Sequence, residues 1–595
     1  MKISYFIVPL TFSISILTGC TSLTPPSDQT ASQAAAPELE SANAEHPTAT
    51  PYKEKLPNVE LSEEIFFKVI TAEIAFQRGD FPAAFATTIA VAQQTRDPRL
   101  SKRALEMALI SKQPNQAFYA ARQWYEYAPD SEEALQYYLG FLSLNNNWSE
   151  VKSLLATHLE SAAPRERGYL ILQAQRLVMR GPNKEAAFNL LEDLYKPYPE
   201  YLETHLALAQ AAYASKNSIR AMVEAKAALA IKPDSQIAVL TEAQVSPSPE
   251  EALAVLTNFL SSNPDAADVR RAYADMLIEQ KQFEPARSQF ELLQKSKPND
   301  PGILYTLGVL SLQLNDIPTA EANLKAFVRA LENSAETRDP TTAYLYLSQI
   351  ADDKKDGVAA LDWLSKIQSY DGKNAAFFNA QLRRAILISK YESLDSAREF
   401  LHQLKASPEE QIQITQLDAE LLRNAGQEKE ALELLQNALV THPDNAELLY
   451  DYAMLAEKFD RVDDMEKALR RVIEINPANQ QAYNALGYSF ADRNIRLQEA
   501  RTLLEKALSL APDDAFIMDS MGWLEFRENK NAESLAHLQK AYALRPDVEI
   551  AVHVGEVLWA MGEQQKAIAV WKEAKSKDPK NAALKSTLER LKVNL

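Results

Sequence analysis

The chain has 595 residues with 63 Lys and Arg against 81 Asp and Glu, a formal net charge of −18, which argues against a nucleic-acid binder because phosphates need a basic surface. Only 14 residues are Gly, far below the usual share of about 7%, so an all-β fold with its many tight turns is excluded. The single cysteine, Cys20, removes disulfides, zinc ribbons and iron–sulfur clusters from consideration.

Residues 1–19 predict a signal peptide: Met1-Lys2, a mostly apolar run from Ile3 to Leu17, then small residues before a cut site. The run is too short and too interrupted to span a bilayer as a mature helix. Leu17-Thr18-Gly19-Cys20 resembles a bacterial lipobox, which implies that Cys20 is lipidated and becomes the first residue after cleavage. The alternative is an incidental cysteine in an ordinary secretory signal. Thr21 is not the aspartate that such lipoproteins use for inner-membrane retention, so the resemblance implies an anchor on the periplasmic face of the outer membrane. Residues 20–60 then carry Pro25, Pro26, Pro37, Pro47, Pro51 and Pro57 among Ser, Thr, Ala and Glu. Such a segment cannot bury enough apolar surface to fold alone. It reads as a disordered tether with a typical reach of roughly 35 Å, either a plain spacer or one that carries a docking motif.

Residues 61–165 predict degenerate helical repeats. Leu61, Ile65, Phe66, Val69 and Ile70 form an apolar stripe at helical spacing, either core packed on a following helix near Phe81 or the edge of a docking surface. Gly79, Asp80 and Ala84, then Ala117 to Pro129, mark the next units, and residues 131–165 with the turn Asn145-Asn146-Asn147-Trp148 fit the pattern least. Across 166–405 the period sharpens, with Pro199, Pro233, Pro264 and Pro298 at spacings of 34, 31 and 34. Leu307, Gly308, Ala320, Leu324 and Phe327 mark a further unit, and Ala360 and Ala397 two looser ones.

Across 406–579 the prolines Pro443, Pro477, Pro512, Pro546 and Pro579 recur at 34, 35, 34 and 33. Each stops a second helix and resets the chain. Small residues in the first helix (Gly487, Gly522, Gly555) and in the second (Ala431, Ala500, Ala567) predict close helix approach. Tyr483, Leu486, Gly487, Phe490, Ala500, Leu504, Ala507 and Pro512 together resemble the tetratricopeptide repeat. The resemblance implies an all-α solenoid, a right-handed superhelix of roughly eleven to fourteen helix pairs. Residues 580–595 predict a polar capping helix that closes the last apolar face.

No enzyme signature is found. The seven histidines form no HExxH motif, and no phosphate loop or G-x-S-x-G elbow sits in a strand–turn–helix context. Glu549, His553 and Glu556 share a helical face at a spacing that can hold a metal, but a polar surface lining is the simpler reading, and neither metal nor cofactor is predicted. In tetratricopeptide proteins the inner wall is lined by first-helix positions 2, 5, 9, 12 and 13. Carried onto the C-terminal repeats, these select Tyr450 and Met454; Asn484 and Tyr488; Asp519, Trp523 and Phe526; Glu556 and Trp559. Rings interleaved with hydrogen-bonding groups suit an extended peptide; the competing reading is that some of these aromatics pack against adjacent helices.

The segments Asp519–Arg527, Ala541–Asp547 and Glu549–Gly562 resemble large proteobacterial tetratricopeptide lipoproteins. One kind in that set is the outer-membrane partner of a periplasmic carboxyl-terminal processing protease. The resemblance implies an adaptor that binds the protease, promotes its activity and brings it peptidoglycan hydrolases. The alternative is a scaffold for envelope assembly or polysaccharide export.

Overall fold

The computed structural model describes residues 56–333, 338–368 and 375–595, so Cys20 and nearly all of the expected tether lie outside the described residues. Among the described residues all regular structure is helical. The helices are α1 (Glu63–Gln77), α2 (Phe81–Thr95), α3 (Pro98–Ile110), α4 (Pro114–Tyr127), α5 (Glu132–Leu144), α6 (Trp148–Ser161), α7 (Pro164–Val178), α8 (Lys184–Tyr195) and α9 (Leu202–Ala214). There follow α10 (Ser218–Ile231), α11 (Gln236–Val245), α12 (Pro249–Ser262), α13 (Ala267–Glu279), α14 (Phe283–Ser296), α15 (Pro301–Gln313), α16 (Ile317–Glu332), α17 (Thr341–Asp353), α18 (Gly357–Ser365), α19 (Ala375–Tyr391) and α20 (Leu394–Gln403). The last are α21 (Pro408–Asn424), α22 (Glu428–Thr441), α23 (Ala446–Lys458), α24 (Val462–Ile475), α25 (Gln480–Asp492), α26 (Leu497–Leu510), α27 (Ala515–Arg527), α28 (Asn531–Leu544), α29 (Val548–Ala560), α30 (Gln564–Lys577) and α31 (Ala582–Leu591).

Among the described residues there are 31 helices, more than the eleven to fourteen pairs and a cap read from the sequence would use. The discrepancy has a simple cause. Around α3, α7 and α21 the proline has moved from the end of one pair to the first turn of the next helix, at Pro98, Pro164 and Pro408, where a missing N–H costs nothing. No helix among the described residues is long and apolar enough to cross a membrane.

Each C-terminal pair is built by the same local chemistry. After the terminal proline comes an Asn or Asp whose side chain caps the next first helix: Asn445 accepts from Leu448 N at 2.9 Å, Asn479 from Ala482 N at 2.9 Å, Asp514 from Ile517 N at 3.1 Å and Asn581 from Leu584 N at 3.0 Å. Each such cap contributes about 1 kcal/mol. The turn inside a pair needs one left-handed residue. It is Gly at 426 and 562 but Asp or Asn at 460, 494 and 529, residues that adopt this conformation at small cost, which is how the chain economises on glycine.

Close approach then fixes the pair. A Cβ on Gly487 would lie 2.7 Å from Leu504 Cγ, and one on Gly522 the same distance from Leu538 Cγ. One on Gly555 would run into the fully buried indole of Trp571. Ala431, Ala500 and Ala567 are fully buried in the facing helices.

By internal packing the chain divides into two units, residues 1–217 and 218–595. In the first, α3, α4 and α5 share a core around Trp124 with Leu105, Ala117 and Ala121. The poorly matching stretch 131–165 is an ordinary helix pair, α5 and α6, turning at Asn146 with φ 56°. The apolar stripe on α1 is mostly uncovered. Ile65 is buried and Val69 half-buried, but Leu61, Phe66 and Ile70 are exposed, as are Phe67 and Ile74. In the second unit one continuous core runs through α21 to α27, and another through α27 to α31. There Leu584 is buried, and Leu588 and Leu591 of α31 pack on the last pair.

Candidate functional site

The first helices of the C-terminal repeats, α23, α25, α27 and α29, carry the row of residues selected from the sequence. They fall into two groups. From α27 onward Asp519, Trp523 and Glu556 are buried and closed by their own neighbours, while Phe526 and Trp559 stay half-buried. Asp519, 7% exposed, faces His553 of the next first helix, with Nδ1 at 2.9 and 3.0 Å from its two carboxylate oxygens. The imidazole stacks on Trp523 at a centroid distance of 4.1 Å and an interplanar angle of 20°.

Trp523 is 3% exposed, and its Nε1 donates to Asp492 Oδ1 at 3.1 Å. Phe526 packs against the same indole, and the Arg527 guanidinium lies over it. Glu556 accepts from Thr587 Oγ1 at 2.7 Å and pairs with Arg590 of α31 at 2.5 Å. Trp559 lies against Trp571.

Burial opposes the charged form of His553. The charge of Asp519 and the hydrogen bond to it more than offset that, so the imidazole pKa stands above its ordinary value. A buried carboxylate left alone would be costly, and this pairing removes the cost. Of Glu549, His553 and Glu556, read from the sequence as a polar surface lining, Glu556 is buried and His553 half-buried, and both are engaged by partners. Among the described residues no group of His, Cys, Asp and Glu is arranged to hold a metal.

On α23 and α25 the row stays open. Tyr450, Met454, Asn484 and Tyr488 are all half-buried. Burial pushes the Tyr450 phenol up to about 12. Burial also holds Tyr488 well above its ordinary value, helped by the carboxylates of Asp492, Asp519, Glu549 and Glu457. Two carboxylates missing from the sequence-selected row stand beside these rings. Asp451 accepts from Gln416 Nε2 at 3.0 Å, Glu457 lies by the Ser489 hydroxyl, and burial raises both above the usual carboxylate range. Asn484 Oδ1 is shielded from solvent and has no hydrogen-bond partner.

One signal in the sequence separates the two groups. The closing partners lie one repeat apart: Asp492 with Trp523 at 31 residues, Asp519 with His553 at 34, Glu556 with Thr587 at 31. On α23 the partners one repeat away are neutral: Asp451 meets Gln416 and Glu457 the Ser489 hydroxyl. Asn484 has Tyr450 before and Met518 after.

Stacked helix pairs of this kind define a class of protein, the helical-repeat scaffolds. The tetratricopeptide-repeat family profiles match residues 248–305 and 422–487, and 463–515 and 520–582. The TPR repeat-containing protein PA4667 of Pseudomonas aeruginosa is 31% identical over 499 residues, covering 83% of this chain and 82% of that protein. The chain belongs to the tetratricopeptide-repeat proteins.

Among solved structures, a tetratricopeptide repeat protein from Parabacteroides merdae is 20% identical, covers 42% of this chain and 97% of its own, and has a TM-score of 0.34. The structure of Naa15/Naa10 bound to HypK-THB is 12% identical, covers 86% of this chain and 89% of its own, and has a TM-score of 0.34. Tetratricopeptide proteins are generally non-catalytic, and the function that membership carries is that of a protein-interaction scaffold.

Proposed function

We propose that this protein is an adaptor, anchored to the outer membrane through lipid on Cys20, that binds a periplasmic carboxyl-terminal processing protease and delivers protein substrates such as peptidoglycan hydrolases. The observation that carries the reading is one exposed apolar face and one half-buried row of rings. One is the apolar face of α1, where the described residues leave Phe66 and Phe67 55% and 71% exposed. The other is the open row on α23 and α25.

A contiguous exposed apolar face such as that of α1 often marks a docking surface. One site for the protease and one for its substrate raise the local substrate concentration without any catalytic residue on the adaptor. The C-terminal segments that resemble protease-adaptor lipoproteins support the same reading. In this scheme α1 docks the protease, and Tyr450, Asn484 and Tyr488 hold the substrate, with Asp519, Trp523, Phe526, Glu556 and Trp559 continuing the row in the next repeats.

The test is cross-linked affinity purification of the lipidated protein from membranes, with partners identified by mass spectrometry. A processing protease recovered with cell-wall hydrolases is the expected result, and its loss on Phe66→Ser with Phe67→Ser would assign the docking end. Export or assembly components without any protease would overturn the adaptor reading in favour of an envelope-assembly scaffold.

A further inference from the structure

We infer that the outer face of α1 pairs with the same face of a second copy of this chain, the two helices running antiparallel about a two-fold axis between Ile70 and Thr71. This goes beyond the adaptor reading: the self-paired α1 is the idle form, and a protease docking on α1 displaces the second copy. The first observation is that α1 is apolar on opposite sides. Ile65 and Ala72 are buried, and Val69 and Phe76 half-buried, on the side packed against the rest of the chain. At 3.6 residues per turn, Phe67, Ile70 and Ile74 stand on the opposite side, and all three are exposed. Apolar stripes on opposite sides belong to a helix covered on both. The far end of the chain shows such a cover, where α31 closes the last pair with Leu584 buried and Leu588 and Leu591 packed on it.

The second observation is spacing. Phe67, Ile70 and Ile74 follow one another at three and then four residues, the a and d positions of a two-helix seam. Glu63 lies four residues before this run and Arg78 four residues after it.

Charge selects the occupant and its direction. The first turn of α1 carries Glu63 and Glu64, and Arg78 follows its last residue. Glu64 is paired with Lys68, whereas Glu63 and Arg78 have no ion pair among the described residues. In an antiparallel pair each Glu63 meets Arg78 of the second copy, each Phe67 meets Ile74, and the two Ile70 side chains adjoin across the axis. Each helix N-terminus then lies beside the other's C-terminus, which the helix dipoles favour. A parallel pair would set Glu63 against Glu63. One surface that complements itself position by position is an isologous contact. Its few side chains fall well short of the roughly 20 to 30 residues a side of a stable interface, so the pairing is exchangeable.

The test is disulfide cross-linking of the full chain, overproduced and kept in its membranes, read on non-reducing gels with the wild type as blank, since its one cysteine is Cys20. Ile70→Cys should give a covalent dimer. Arg78→Cys alone should give none, because its two copies stand roughly 22 Å apart along the paired helices, but together with Glu63→Cys in one chain it should. Added to the Ile70→Cys chain, Arg78→Glu should lower the dimer yield at least threefold, and a further Glu63→Arg should restore it. Phe67→Ser with Ile74→Ser, both at exposed positions, should abolish the dimer without lowering the melting temperature. No dimer from Ile70→Cys, a dimer from Arg78→Cys alone, or a charge exchange that restores nothing would overturn the inference. If Ile70→Cys stays monomeric while the membrane purification recovers the protease, the self-pairing fails and the adaptor reading stands. If the dimer forms and no protease is recovered, the adaptor reading fails and the self-pairing stands.

Discussion

The α23–α25 stretch and the α27–α31 stretch are built on the same repeat, with the same cap, the same small residue at the helix crossing and the same proline behind, yet they do opposite things with their first-helix row. In the later stretch each polar residue meets a complement one repeat away, so Asp519, Trp523 and Glu556 are structural. In the earlier stretch Asp451 and Glu457 also meet partners one repeat away, the Gln416 amide and the Ser489 hydroxyl, but these are neutral, and Tyr450, Met454, Asn484 and Tyr488 stay half-buried. Position in a repeat tells where a side chain stands. Whether it is free to bind depends on what stands one repeat before and after it.

The largest expected effect that would break this contrast is at Trp523. Trp523→Ala should cost about 4 kcal/mol, as truncation of a buried aromatic does, and should speed hydrogen exchange of α27 and α29. Tyr488→Phe should leave both unchanged. Next, Asp519→Ala should cost about 3 kcal/mol, because it leaves His553 buried without its counter-charge. Chemical denaturation monitored through the α27–α31 amides would measure it, and a loss as small as that of an exposed surface change would show the pair to be incidental.

A smaller effect is pH dependence. The folded-state pKa of His553 is raised, so its stabilisation is complete below the ordinary histidine value and is lost as pH rises through the raised folded value. Denaturation midpoints measured from pH 6 to 9 should fall more for wild type than for His553→Gln. The smallest change is expected in the open row. Glu457→Gln should shift stability by less than about 0.5 kcal/mol or raise it, since a neutral amide avoids the burial cost of the carboxylate.

Much of this was legible without coordinates. The Pro443 to Pro579 period together with Gly487, Gly522 and Gly555 specifies helix pairs, because only small residues fit where Leu504, Leu538 and Trp571 press in. The wear in the proline period led to too few pairs, since a proline at the first turn of a helix does the same work as one after the last. The α1 stripe was ambiguous for a different reason: periodicity marks an apolar face and does not say whether anything covers it. The row itself was half legible. Repeat positions found Tyr450, Asn484 and Tyr488 but gave the same weight to Trp523 and Glu556, which are consumed internally. His553 reads from the sequence as part of a polar surface lining, because its partner Asp519 lies a full repeat away. Asp451 and Glu457 stand beside the Tyr450 ring but fall outside the repeat positions that selected the row.

The most direct test places a photo-cross-linking amino acid at Tyr450 or Tyr488 and, in parallel chains, at Trp523 or Trp559, irradiates intact cells, and identifies the adducts by mass spectrometry. Adducts to protein partners from positions 450 and 488, with none from 523 and 559, are the predicted result. Adducts from 523 and 559 with none from 450 and 488 would contradict the division of the row into an open binding stretch and a self-satisfied one.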